Sequence, residues 1–188
     1  MGITIHYQGK INNTYLIDEF TSEIKDISDE LNWKYDLIDD DELNIKGILI
    51  SPLQDCESLS FLFDKTNGIL KDRIILVCND LGDEHYKYNH TKTQFAPITI
   101  HITIIKLLKY LKDKYLSDLI VTDEGDYWIT GDAELLQSKF NFLEEMINVT
   151  ARIFSKVEKI PGESLESLAD RIEKTLTEIH ERNKNKYG

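Results

Sequence analysis

The spacing of apolar positions changes several times along the chain, and each change marks an expected element. Ile3, Ile5 and Tyr7 alternate with Thr4 and His6, the period-two pattern of a half-buried strand. Leu16, Phe20, Ile24, Ile27 and Leu31 then recur every three or four residues, with Asp18, Glu19, Ser22, Glu23, Asp26, Asp29 and Glu30 between them. That spacing predicts an amphipathic helix with an acidic outer face, which Asn13 or Thr14 is placed to cap. Strands are expected over 33–38, over 46–50 (stopped by Pro52) and over 59–63, the last followed by a turn at 64–68. The nearly continuous apolar run at 73–78 reads as a well-buried strand.

Residues 79–96 carry no periodic pattern and read as one long polar loop, a length more often functional than not. The stretch after Pro97 is two-valued. Ile98 to Ile104 alternates like a strand, yet Ile104, Leu107, Leu108, Leu111 and Tyr115 follow a helical spacing, and Pro97 suits a first helical position. A helix over about 97–115 is the preferred reading. A short strand at 119–122 and a turn at 123–128 lead to a helix capped by Thr130 or Asp132, ending at Pro161-Gly162. Leu165, Leu168, Ile172, Leu176 and Ile179 mark a last amphipathic helix, giving a C-terminal helical hairpin with a frayed tail.

The expected class is therefore α+β: a mixed, mostly antiparallel sheet of five or six strands with packed helices. The first two strands would be parallel through a right-handed crossover. Residues 1–160 would form the α+β domain, and 161–188 a C-terminal helix packed on it. No internal repeat of useful length is present.

Charge narrows the partners. The 188 residues include 34 acidic and 22 basic side chains, a net charge of −12, which argues against nucleic acid or an anionic membrane as the main partner. The acidity is concentrated at residues 1–60, with 13 acidic and 4 basic side chains. Asp39-Asp40-Asp41-Glu42 reads as a solvated loop, and as a candidate docking surface for a protein partner with a basic surface. No secretory leader and no membrane-length apolar run is apparent, so a cytoplasmic protein is expected. Cys56 and Cys78 are too few for a disulfide framework.

Nucleotide-loop, dinucleotide, nucleophile-elbow and zincin motifs are all missing, and the nine glycines do not cluster into a phosphate cradle. Three constellations remain. His85, His90 and His101 with Asp123 or Glu124 have the donor types of a zinc site, but the spacing is unspecific and no metal or cofactor is assigned. Lys92 and Gln94 precede the helix that carries His101, where backbone N–H groups and positive charge suit an anion. Asp123, Glu124 and Trp128 set carboxylates beside an aromatic ring. Each has a plainer reading, preferred here, in which the same groups serve caps, turns and the interior.

The opening Met1-Gly2-Ile3-Thr4-Ile5-His6-Tyr7-Gln8-Gly9, the segment Lys92-Thr93-Gln94-Phe95-Ala96 followed by His101, and 123–132 (Asp-Glu-Gly-Asp-Tyr-Trp-Ile-Thr-Gly-Asp) together resemble a family of uncharacterised bacterial proteins. The resemblance spans the chain to about the helix after Asp132. It implies a bacterial cytoplasmic origin and a helix after Pro97, but no reaction and no catalytic residues. The function expected first is a non-catalytic acidic interaction module. The alternative is a small-ligand-binding protein or hydrolase-like enzyme with a cleft lined by 92–101 and 123–132, using Lys92, Gln94, His101, Asp123, Glu124 and Trp128. The C-terminal hairpin is also compatible with a homo-oligomer interface.

Overall fold

The computed structural model describes residues 2–52, 55–78, 86–156, 164, 166–171 and 173–174. The chain separates into two compact units, Met1–Phe140 and Asn141–Gly188. The first unit opens with β1 (Thr4–Gln8), a 3₁₀ turn at Thr14–Leu16 and α1 (Ile17–Glu30). Then come β2 (Lys34–Asp40), β3 (Ile45–Ser51), β4 (Leu59–Asp64) and β5 (Leu70–Lys71). A 3₁₀ turn at Arg73–Leu76, β6 (Asn89–Lys92), α2 (Ile98–Lys114), β7 (Ile120–Asp123), the single-turn α3 (Tyr127–Thr130) and α4 (Ala133–Lys156) follow.

The α+β class stands, but the strands form two antiparallel sheets, one of order β6-β1-β7 and the other β2-β3-β4-β5. The expected single mixed sheet is corrected: among the described residues every strand pair is antiparallel, and β1 and β2 lie in different sheets. After β1 the chain runs on to bridge Ile69 through Lys10, with Ile11 N donating to Gly68 O and Leu70 N to Gly9 O, both at 2.9 Å. These bonds tie the run that follows β1 to the start of β5, the edge strand of the second sheet. The buried Tyr7 hydroxyl joins the two sheets, accepting from Ser60 N at 2.8 Å and donating to Ser60 O at 3.1 Å. Burial raises the Tyr7 phenol well above its ordinary pKa, so it stays neutral.

Phe20 on α1 is the centre of the main core. Its ring meets Phe61 and Phe63 of β4 at 5.6 and 5.0 Å and Tyr115, just after α2, at 5.3 Å. Ile48, Ile50, Ile104, Leu108 and Leu111 are buried in the same cluster. A smaller cluster of Ile45, Leu62, Ile75 and Tyr86 includes residues of β3 and β4 that alternate with the main-core set. Glu23 ties α1 to α2 by accepting from Lys114 Nζ at 2.6 Å and from the Tyr110 and Tyr115 hydroxyls.

Several local expectations change. The 73–78 run is not a strand: Asp72 Oδ1 accepts from Ile74 N at 2.9 Å and nucleates the 3₁₀ turn, leaving Ile75 buried while Ile74 and Val77 face solvent. Asp39 and Asp40 are not loop residues but the end of β2, held there by seven register pairs with β3. The 79–96 stretch contains β6, which its polar sequence Asn89-His90-Thr91-Lys92 concealed. α2 and β7 lie where the spacing put them, and Asp132 Oδ1 caps α4 by accepting from Glu134 N and Leu135 N. His85, the Pro161-Gly162 turn, the 160/161 boundary, the hairpin packing and the frayed tail lie outside the described residues. Among the described residues, no helix is long and apolar enough to cross a membrane.

Candidate functional site

The antiparallel order β6-β1-β7 brings the two expected segments together. Thr4 pairs with Lys92 on one side, and Ile5 pairs with Asp123 on the other. One turn into α2, His101 enters the gap between them. Its Nδ1 lies 2.8 Å from Thr93 Oγ1, and its Nε2 faces Asp123 Oδ1 at 3.1 Å. Thr93 Oγ1 is also 3.2 Å from Ile3 O. The second Asp123 oxygen accepts from Trp128 N at 2.9 Å, and Oδ1 also accepts from Gly125 N at 2.7 Å.

Burial pushes the Asp123 carboxyl up, but the His101 imidazole and the two backbone N–H groups outweigh it and hold the group below its usual range. The Nε2–Oδ1 approach is a close contact that lacks the alignment of a hydrogen bond.

Thr, His and Asp in this order have the composition of a nucleophile–base–acid relay. Access decides against that chemistry. The His101 and Asp123 side chains are 0% and 1% exposed, and Thr93 is fully buried. Leu136 and the edge-on Phe140 ring, 5.9 Å from the imidazole, help close the interior, and a Cβ on Gly125 would lie 2.5 Å from Leu136 Cδ1. No solute reaches the imidazole. The cluster braces β1, β7 and the start of α2.

The other expected residues have separate surroundings. Glu124 Oε2 accepts from Thr4 N at 2.8 Å. Lys92 N donates to Glu57 Oε2 at 3.1 Å, and Gln94 Oε1 is buried without a partner beside Gly2. Trp128 lies under Lys109 and Lys112, whose Nζ atoms are 5.5 and 5.9 Å from the ring centre. His90 stands apart on β6, with Nδ1 3.6 Å from Asp72 Oδ2 and its ring opposite His6. Among the described residues no group of three or more His, Cys, Asp or Glu is placed to hold a metal. Burial, with the Glu57 carboxylate beside it, pushes the Cys56 thiol up to about 12, away from the reactive thiolate.

An open feature lies elsewhere. Where α1 crosses the β2–β3 face, a groove of about 370 Å³ is lined by Asp18, Thr21, Ser22 and Lys25 from the helix and Leu37, Ile38, Asp39, Lys46 and Gly47 from the strands. Gly47 is required there, because a Cβ would strike Phe61 O on β4. Leu37 is 56% exposed, and Thr21 Oγ1 is shielded from solvent without a hydrogen-bond partner.

The walls themselves carry two acids, Asp18 and Asp39, and two bases, Lys25 and Lys46, and these charges are matched internally. Lys46 Nζ reaches Asp18 at 2.7 Å and Asp39 at 3.3 Å, while Lys65 Nζ reaches Asp39 and Asp41 at 2.6 Å each. The two lysines hold the Asp39 carboxyl below its usual range. Lys25 is paired with Asp29 at 3.0 Å. Asp26, Glu30, Asp36 and Glu42 remain as exposed acids around the same helix and strand. Sequence reasoning found the charge but not the groove. The alternation of Tyr35, Leu37 and Asp39, extended two residues past Ile38, was the available signal.

Comparison with family models, with curated proteins and with solved structures finds no match to this chain.

Proposed function

We propose that the protein is a non-catalytic interaction module, and that the acidic surface built by α1 and β2 receives a protein partner with a basic surface. One observation carries the reading: a groove lined in part by exposed Leu37 lies beside the β2 edge, on a surface where α1 and β2 expose Asp26, Glu30 and Asp36. Residues 17–42 contain eleven acidic and two basic side chains, so the field there steers cations toward the groove. The competing reading, a ligand cleft at 92–101 and 123–132, is weakened by the burial of Thr93, His101 and Asp123.

The test compares the full chain with a D26N/E30Q/D36N variant as bait. A protein retained by the wild type is purified and its affinity for both is measured across salt concentrations. The expected result is at least tenfold weaker binding to the variant and a shallower salt dependence. Equal affinity for both baits overturns the reading.

A further inference from the structure

We infer that the partner docks by adding an extended segment to the outer edge of β2, as a fifth strand of the β2-β3-β4-β5 sheet, with basic residues alternating with apolar ones. This rests on the interaction-module reading and names the occupant and its geometry.

β2 ends its sheet, and no described strand pairs with its outer side. It is seven residues long, roughly 23 Å at a strand's rise per residue. Every second residue of such an edge turns its N–H and C=O outward, where an added strand satisfies both. The groove lies beside this edge on the α1 side. The contacts of Asp39 with Lys46, and of Lys46 with Asp18 on α1, put Tyr35, Leu37 and Asp39 on that side. Asp36, Ile38 and Asp40 therefore occupy the other face. A strand laid alongside sets apolar side chains next to Leu37 and cations next to Asp36 and Asp40.

Two other occupants fit worse. A helix is about 10–12 Å across and supplies no backbone donors or acceptors to an edge. A second copy paired through β2 brings six aspartates together with only two lysines, a repulsive match.

The experiment selects 12-residue peptides from a random display library on the purified full chain. The best peptide is then resynthesised with alternate backbone amides N-methylated, which keeps its charge but blocks strand addition. Amide hydrogen exchange across residues 34–40 is followed with each peptide. Three results are expected together: enrichment of alternating Lys or Arg with apolar residues, at least tenfold weaker binding after N-methylation, and slower exchange at alternate β2 amides. Basic peptides that bind equally well when N-methylated, or that leave β2 exchange unchanged, overturn strand addition while the acidic docking face survives. Selected peptides without basic bias, or protected sites away from α1 and β2, overturn both. Concentration-dependent protection of β2 in the protein alone overturns this proposal in favour of self-pairing. Because the peptide carries the backbone change, no folding defect in the protein confuses the outcome.

Discussion

The Thr93–His101–Asp123 cluster and the α1–β2 groove both assemble hydroxyls and carboxylates, yet they differ in what their polar groups are committed to. In the first, Asp123 receives N–H donors from Gly125 and Trp128 and faces His101, all away from solvent. In the second, Lys46 and Lys65 satisfy only Asp18, Asp39 and Asp41, and other acids stay exposed. Residue types that suggest chemistry are thus consumed by the fold in one place and left to the surface in the other. Access, rather than the residue list, separates a brace from a docking surface.

The largest effect should come from cutting the brace. Asp123→Ala or His101→Ala leaves a buried partner uncompensated, which costs about 3–5 kcal/mol. For a chain of this length that is a fall in Tm of roughly 6–20 °C in thermal unfolding. Peptide binding at β2 by the fraction still folded should not change. A variant that keeps its Tm but loses binding would make the buried cluster functional. Acid tests the same brace. The Asp123 carboxyl is held low in the folded chain, so the unfolded chain binds more protons as pH drops. Its stabilisation is present above the unfolded carboxylate range and is lost as pH falls through the folded value. Glu23 acts with the same sign: burial raises it, but Lys114, Tyr110 and Tyr115 together lower it further. Thermal unfolding from pH 7 to pH 3 should show a falling Tm, with a shallower fall in Asp123→Asn than in the wild type.

Gly125→Ala is next. The added methyl group sits 2.5 Å from Leu136 Cδ1 and 3.0 Å from both Asp123 Oδ1 and His101 Nε2. Such overpacking costs about 1–3 kcal/mol, read as a lower midpoint in chemical denaturation with an unchanged slope. An unaltered midpoint would mean that α4 yields easily at Leu136 and that the brace is looser than its distances imply.

How much of this could be read from the chain alone follows from what periodicity reports. The Leu16–Leu31 repeat and the 104–115 repeat each present one face to the interior, and both helices appear as expected. The Arg73-Ile74-Ile75-Leu76 run reads as a strand from its apolar content, but a local bond from Ile74 N to the Asp72 carboxylate holds it in a 3₁₀ turn. β6 was missed for the opposite reason, since it is formed by pairing with β1 and not by its own propensity. The convergence of 92–101 on 123–132 was foreseeable as a possibility from residue types, but its burial was not. Depth depends on sheet order, which two non-sequential partners of β1 decide.

The smallest effect on the fold, and the most informative about the surface, is expected from the exposed acids. Asp26→Asn and Asp36→Asn should each change stability by less than about 0.5 kcal/mol, as surface substitutions do, while weakening a basic peptide's binding and flattening its salt dependence. Asp39→Asn is the counterpart, since Lys46 and Lys65 already share that carboxylate. Removing it leaves Lys46 paired with Asp18 and Lys65 with Asp41, each with one carboxylate fewer, so two less fully matched cations stand beside the groove. Asp39→Asn should therefore weaken binding more than Asp26→Asn, although the Asp39 charge is the one most fully matched in the free protein. Isothermal titration of the three variants at two salt concentrations gives the order directly. If Asp39→Asn is the mildest of the three, the internal lysines face away from the partner, and the basic segment lies along the β2 edge beyond their reach.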